Sequence, residues 1–272
     1  MSGIQSIGRT ILKYVRLLRE FFRACLVEEF EYRANFVGNF LNTMLTLLGA
    51  ILTIRLFFLQ TDSIGGWSFY EVLALLGVFN AMQGLIAFFL QPNMSRLVNH
   101  IREGTLDFVL LKPVDSQFYI SFRHLVFWRL ADVVIGIALT AFATSRLELD
   151  MSYSAWLVFT LFFVAAVIIV YSLWMGIMTC SFWAVKVDNL SFLFQSVFET
   201  ARYPVSVYKG AVRFVLTYIF PVALVTTVPA QSLTGRLTLE TGTIALLFAI
   251  LLAILSRLFW KTALKSYTSA SS

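Results

Sequence analysis

The chain has 272 residues, of which 59% are apolar and 13% are charged, and its formal net charge is +6. Soluble domains carry about 25% charged residues, so this composition and a mean hydropathy of +0.81 exclude an ordinary soluble protein and indicate an integral membrane protein. The positive charge does not indicate nucleic-acid binding, because the basic residues flank apolar blocks and form no stripe along a soluble face.

The first predicted element, residues 1–35, is an amphipathic helix that lies on the membrane surface. Its apolar residues recur at helical spacing from Ile4 to Cys25, and its basic residues lie mainly on the other faces: Arg9, Lys13, Arg16, Arg19 and Arg23. Each such residue contributes about 1 kcal/mol to binding the anionic lipids of the cytoplasmic leaflet. A cleaved signal peptide is disfavoured, because charge interrupts the apolar run every few residues.

Apolar blocks of about 20 residues follow, the length that crosses the hydrocarbon core of a bilayer. Loop 60–70 has a Gly65-Gly66 turn and no basic residue, so the charge bias places it outside and the Pro92–Gln117 segment in the cytoplasm. The pattern predicts an all-α membrane protein of six spans with both termini in the cytoplasm. The first, second, third, fourth and sixth spans are predicted at residues 36–58, 71–91, 122–144, 155–185 and 242–260.

The fifth span has two interpretations. In one, residues 212–230 cross the membrane despite containing Pro221 and Pro229. In the other, residues 189–207 form the span, and residues 208–231 dip into the outer leaflet as a broken, re-entrant helix. Non-helical backbone at that depth must be buried in protein or line a cavity.

The third predicted span contains two charges, Arg129 and Asp132, one helical turn apart. A charge at the bilayer centre costs at least about 2.5 kcal/mol. Mutual pairing near the cytoplasmic end of the span is therefore the favoured interpretation, and a contact with a transported substrate is the alternative.

The Pro92–Gln117 segment is the longest polar interval between two apolar blocks. Its first half has the apolar spacing of a one-sided helix, which Gly104 can end in a left-handed conformation. A second apolar turn, Leu106–Leu111, then runs to Pro113. A solvated connector without a specific role is the alternative interpretation.

No catalytic motif is visible in the sequence. It contains no GxxxxGK[ST] phosphate-binding loop, no GxSxG and no HExxH. His100 and His124 have no cysteine or third histidine nearby to complete a metal site. We therefore expect no enzymatic activity, cofactor or metal in this chain.

Three stretches carry a resemblance to a known family: EYRANF at residues 31–36, IREGTLDFVLLKP at residues 101–113 and ARYPVSVY at residues 201–208. With the order of the predicted elements, they resemble the permease subunits of ABC-2 type exporters over nearly the whole chain. The resemblance implies a single transmembrane domain over residues 1–272. It also implies a cytosolic coupling helix within residues 92–117 and outer re-entrant helices within residues 208–231.

On this resemblance, the expected function is that of the transmembrane subunit of an ATP-driven exporter for a hydrophobic or amphipathic substrate. ATP and Mg²⁺ would be bound by separate ABC ATPase subunits. A second permease copy or a paralogue would complete the pathway, in contact with the lipids of a bacterial plasma membrane. A secondary transporter and a non-transporting membrane scaffold or assembly protein are the alternatives.

The residues expected to couple the chain to the ATPase lie where the first helix of the polar segment ends. Leu97, Val98 and Ile101 are expected to seat that helix in an ATPase groove. Arg102 and Glu103, beside Gly104 and Asp107, are expected to fix its register through charge-assisted hydrogen bonds. The expected hinges of the re-entrant segment are Pro204, Pro221 and Pro229.

Overall fold

The computed structural model describes residues 2–31, 33–147, 152–184 and 188–267. Within these ranges the chain forms helices joined by turns and contains no β-strand. The predicted all-α fold class is therefore confirmed. The α-helices are α1 Ser2–Glu31, α2 Arg33–Phe58, α3 Phe69–Leu85, α4 Gln91–Arg102, α5 Asp107–Leu110, α6 Ser116–Phe122, α7 Leu130–Thr144, α8 Tyr153–Thr179, α9 Asp188–Glu199, α10 Gly210–Phe214, α11 Val228–Leu233 and α12 Leu239–Lys265.

Among the described residues, 5 helical stretches are long and apolar enough to cross a membrane, and a bent pair raises the number to 6 if it counts as one span. The pair consists of Gly210–Ile219 and Ala223–Leu233. These lengths and compositions are those of an integral membrane protein. The five single stretches are Val37–Phe58, Phe69–Arg102, Phe127–Thr144, Tyr153–Phe182 and Leu239–Lys265.

The second span helix is longer than predicted, because α3 runs without a break into α4. A π-helical turn, Ile86–Leu90, joins the two, and Pro92 lies in the first turn of α4. Pro92 has no N–H to donate to the carbonyl oxygen of Phe88, four residues earlier. The N–H of Val126 donates to that oxygen instead, at 2.9 Å. The polar segment therefore begins as a continuation of the span, which corrects the predicted span end at Gln91.

Helices α3 and α7 pack with their backbones almost in contact. A Cβ atom at Gly77 would lie 2.7 Å from the carbonyl oxygen of Gly136, and a Cβ atom at Gly136 would lie 2.6 Å from that of Gly77. Only glycine permits this approach, which is typical of helices that associate within a membrane. The two helices thus form a tight pair inside the bundle.

The chain between α9 and α12 folds back on itself. The hydroxyl of Ser206 donates to the carbonyl oxygen of Gly65 at 2.7 Å, so the chain that leads into α10 lies beside loop 60–70. The bent pair then turns by 67°. Pro221, at the bend, lines a small cavity with Val170 and Leu173, which lie well inside the length of α8.

The second arm of the bent pair, Ala223–Leu233, returns to the end of the bundle where the first arm began. Arg236, just beyond it, forms an ion pair with Glu71 in the first turn of α3, at 2.5 Å between Nε and Oε1. Both ends of the bent pair therefore lie at the end of the bundle that carries loop 60–70.

Residues 189–207 are not one helix. α9 ends at Glu199, and 3-10 turns at Thr200–Arg202 and Val205–Val207 flank an extended link that contains Pro204. Pro204 and Pro221 thus both lie at breaks in the chain. Pro229 is not a hinge, which corrects the prediction: it lies in the first turn of α11, where a proline is tolerated, within one uninterrupted arm.

We expect Gly136→Ala to destabilise the protein by about 1–3 kcal/mol, because the added Cβ would overlap the backbone of α3. The matched control is Gly176→Ala in α8, where an added Cβ meets nothing within 4 Å. Thermal unfolding of both variants in detergent checks this expectation. A wild-type midpoint for Gly136→Ala would show that α3 and α7 do not approach so closely.

Candidate functional site

Residues 103–117, called the tip segment below, turn the chain sharply between α4 and α6. Gly104 has a φ of +70°, the left-handed conformation that glycine adopts without steric cost, as the sequence predicts. The N–H of Leu106 donates to the carbonyl oxygen of His100 at 3.1 Å, and Nδ1 of His100 lies 2.7 Å from Oγ1 of Thr105. These contacts fix the direction in which the chain leaves α4.

The apolar face of α4 packs inside this chain. Leu97 and Val98 are 0% and 3% exposed, and Ile101 is partly buried against the same core. This face contacts α6 and α8. The helix is one-sided, as predicted. The prediction that this face seats α4 in an ATPase groove is corrected for Leu97 and Val98, because these two side chains are not accessible to another protein.

The exposed apolar surface of the tip segment is formed instead by Phe108 and Leu111, which are 69% and 81% exposed. The opposite face of α5, with Leu106 and Val109, is buried. Sequence reasoning did not single out Phe108 and Leu111, because a helix of four residues is too short for apolar spacing to show which side faces the core. Glu103 is exposed at the turn that precedes them.

Arg257 of α12 binds the tip segment directly. Its guanidinium forms a bidentate ion pair with Asp115, with 3.1 Å between Nη1 and Oδ1, and Nη1 also donates to Oε1 of Gln117 at 2.7 Å. Gln117 in turn donates to the hydroxyl of Tyr171 in α8 at 3.2 Å. The side chains of the ion pair are 38% and 32% exposed, so the pair fixes geometry more than it adds stability.

The electrostatics of Asp115 follow from these contacts. Burial alone would raise the pKa of Asp115, but the hydrogen bonds and charge of Arg257 and the N–H of Phe118 outweigh it, and the pKa lies below its ordinary value. The N–H of Phe118 donates to Oδ1 at 3.0 Å, because Asp115 is the N-cap of α6. Asp115 is therefore ionised at neutral pH.

Helix α1 also contacts the tip segment. The hydroxyl of Tyr14 accepts from the N–H of Asp115 at 3.1 Å, and Lys13 donates to the carbonyl oxygen of Pro113. On its other side α1 exposes apolar residues, including Ile11 and Val15. This arrangement is that of a surface helix lying between the bundle and its surroundings.

The C-terminal turns of α12 complete the attachment. Nε1 of Trp260 donates to Oγ of Ser116 at 3.3 Å, and the hydroxyl of Tyr267, just after the helix, donates to the carbonyl oxygen of Gly104 at 3.4 Å. Burial and the neighbouring Asp107 carboxylate raise the pKa of Tyr267. The tip segment is thus held by α12 at both of its ends.

The predicted charge pair is in contact. Nη1 of Arg129 lies 3.1 Å from Oδ2 of Asp132, and the other carboxylate oxygen accepts from Oγ1 of Thr43 in α2 at 2.8 Å. Asn80 of α3 donates to the carbonyl oxygen of Asp132 at 2.8 Å. The carboxylate is therefore satisfied within the protein, which favours a structural role over a substrate contact.

In the described ranges, no group of three or more His, Cys, Asp and Glu side chains is arranged to hold a metal ion. His100 is engaged by Thr105.

We expect Arg257→Gln to lower the unfolding midpoint, because Asp115 loses its cation. The double variant Arg257→Gln/Asp115→Asn should recover part of the loss.

The stabilising effect of Asp115 should depend on pH. Folding lowers the pKa of Asp115, so its contribution to the free energy of unfolding is present above the ordinary pKa of 3.8 and is lost as pH falls through the lowered pKa. The difference in unfolding midpoint between wild type and Asp115→Asn should therefore disappear in strong acid. Thermal unfolding across pH measures both effects, and strictly additive single changes would contradict the pairing.

One family model matches most of this chain. The model described as ABC-2 family transporter protein matches residues 44–271, from the middle of α2 through the tip segment to beyond α12. No curated protein and no solved structure gives a significant match. The match, together with the all-α fold and its membrane-spanning helices, shows that the chain belongs to the ABC-2 transporter family and is a membrane component of an ABC transporter.

Proposed function

We propose that the chain is the transmembrane subunit of an ATP-driven exporter and that a separate ABC ATPase binds the tip segment. The observation that carries the proposal is the exposure of Phe108 and Leu111 at the end of the bundle opposite loop 60–70. Exposed clusters of large apolar side chains mark contacts with other proteins. Arg102 and Glu103, at the preceding turn, provide a polar rim that fixes the register of the complex.

Movement of the ATPase would reach the spans through two rigid attachments. The helix Phe69–Arg102 is continuous over 34 residues, so force on the tip segment acts on the whole second span. The ion pair between Arg257 and Asp115 transmits the same force to α12. We therefore infer that α3 and α12 tilt together when the ATPase subunits close.

The rest of the transporter is inferred from what this chain has and lacks. Its sequence has no phosphate-binding loop, so ATP and Mg²⁺ bind to the ATPase subunits. A second copy or a paralogue would complete the pathway for a hydrophobic or amphipathic substrate. One surface that such a copy can cover is the exposed apolar face of α2, which includes Val37, Leu41, Leu45, Leu48 and Leu52.

The same reasoning gives a topology. We place the tip segment and both termini in the cytoplasm of a bacterial plasma membrane, and loop 60–70 outside, because the basic residues cluster near the tip. The bent pair then enters the outer leaflet and leaves it again as a re-entrant element, and its bend at Pro221 lies beside residues of α8 and α9. The basic residues of α1 bind anionic lipids of the inner leaflet.

The docking surface is tested by Phe108→Asp and Leu111→Asp. We expect each variant to insert and fold normally yet to lose a co-expressed ABC ATPase subunit, because a charge in a desolvated contact has no partner there. Affinity co-purification from detergent, followed by ATPase turnover in nanodiscs, measures the loss.

The matched control is Leu239→Asp, at the opposite end of the bundle, where the side chain is 91% exposed. This variant should keep the ATPase. If Phe108→Asp and Leu111→Asp also keep the ATPase with normal turnover, the tip segment is an inert connector and does not bind the ATPase.

The topology is tested by single cysteines at the exposed positions Ser63, Lys112 and Ser206, in a background without Cys25 and Cys180. We expect an impermeant thiol reagent to label positions 63 and 206 in intact cells and position 112 only in inverted vesicles. Labelling of position 206 from inside would make the bent pair the fifth span.

A further inference from the structure

A cavity of about 670 Å³ lies between the two arms of the bent pair and α12. Its volume falls in the range of about 300–1,000 Å³ that small-molecule sites occupy. Arg213, Phe214 and Tyr218 line it and are exposed, so the cavity is open at its surface. Neither the coupling mechanism nor the family assignment accounts for it.

The cavity is polar at one end and apolar at the other. Ser206, Arg213 and Gln231 lie at the end near loop 60–70, which the bond from Ser206 to Gly65 marks. The deeper wall is apolar and includes Leu224, Val228, Ile244 and Phe248. This gradient matches an amphiphile whose head lies at the rim and whose chain lies in the interior.

Arg213 gives the rim a positive charge. Its guanidinium has no hydrogen bond or ion pair with the residues that the structure describes; the contact at this position is its carbonyl oxygen, which accepts from Oγ1 of Thr217 at 2.7 Å. A guanidinium without a carboxylate partner at the mouth of an apolar cavity favours an anionic, oxygen-rich headgroup.

We propose that this cavity binds an acyl chain of an anionic phospholipid. The phosphate binds Arg213, and the chain packs against the apolar wall. Arg213 selects an anionic over a zwitterionic head. Binding requires no ATPase, and only the assignment of the lipid to the outer leaflet rests on the proposed topology.

Equilibrium binding of tritiated lysophosphatidylglycerol to the purified full chain in a non-ionic detergent tests the site. We expect saturable binding, with lysophosphatidylcholine competing at least about fivefold more weakly. Arg213→Gln should weaken binding of the anionic lipid by about fivefold and abolish the preference over lysophosphatidylcholine. The matched control is Arg146→Gln, which removes an exposed charge at the same end of the bundle but outside the cavity.

Thermal unfolding separates binding from folding. Arg213→Gln and Arg146→Gln both replace exposed side chains, so the unfolding midpoints of both variants should equal that of wild type. Equal affinities of the two variants for lysophosphatidylglycerol, or no saturable binding to the folded wild type, would overturn the proposal. Because the assay contains no ATPase, these results are independent of the coupling experiment.

Discussion

The ion pair between Arg257 and Asp115 is the contact on which the tip segment of this protein depends. Arg257 belongs to the last span and also donates to Gln117, which donates to Tyr171 of α8. Asp115 caps α6, and its N–H donates to Tyr14 of α1. A bidentate pair restricts orientation more than a single hydrogen bond does. Four helices that are far apart in sequence therefore meet at one short segment, and the segment cannot shift without moving them.

A second constraint links that end to the middle of the bundle. The π-helical turn before Pro92 and the donor supplied by Val126 let α3 continue into α4, and the glycine contact between Gly77 and Gly136 holds α3 against α7. Bistable transmission between distant sites requires rigid elements rather than flexible links. A continuous helix held at mid-length and at its tip has the stiffness that the proposed coupling needs.

The sequence predicted features that depend on local chemistry. Hydropathy identified the fold class, and the local pattern identified the left-handed Gly104 and the charges one turn apart at Arg129 and Asp132. It did not predict features that depend on distant partners. The apolar spacing of α4 shows that one face is buried, but it does not show which surface covers that face. The sequence therefore predicts that Leu97 contacts a partner protein, whereas it packs inside this chain. The sequence also predicts that Pro92 lies in a loop. The N–H of Val126, which donates to the carbonyl oxygen that Pro92 leaves without a partner, comes more than thirty positions later in the chain.

The central claim is that the tip segment and the last span move as one body when the ATPase closes. Spin labels at the exposed positions Lys112 and Lys261 measure this directly in the assembled transporter by pulsed electron resonance. We predict the same narrow distance distribution with and without ATP, and a broadened one in Arg257→Gln. A shift of the mean distance on ATP binding to the otherwise wild-type protein would contradict the claim.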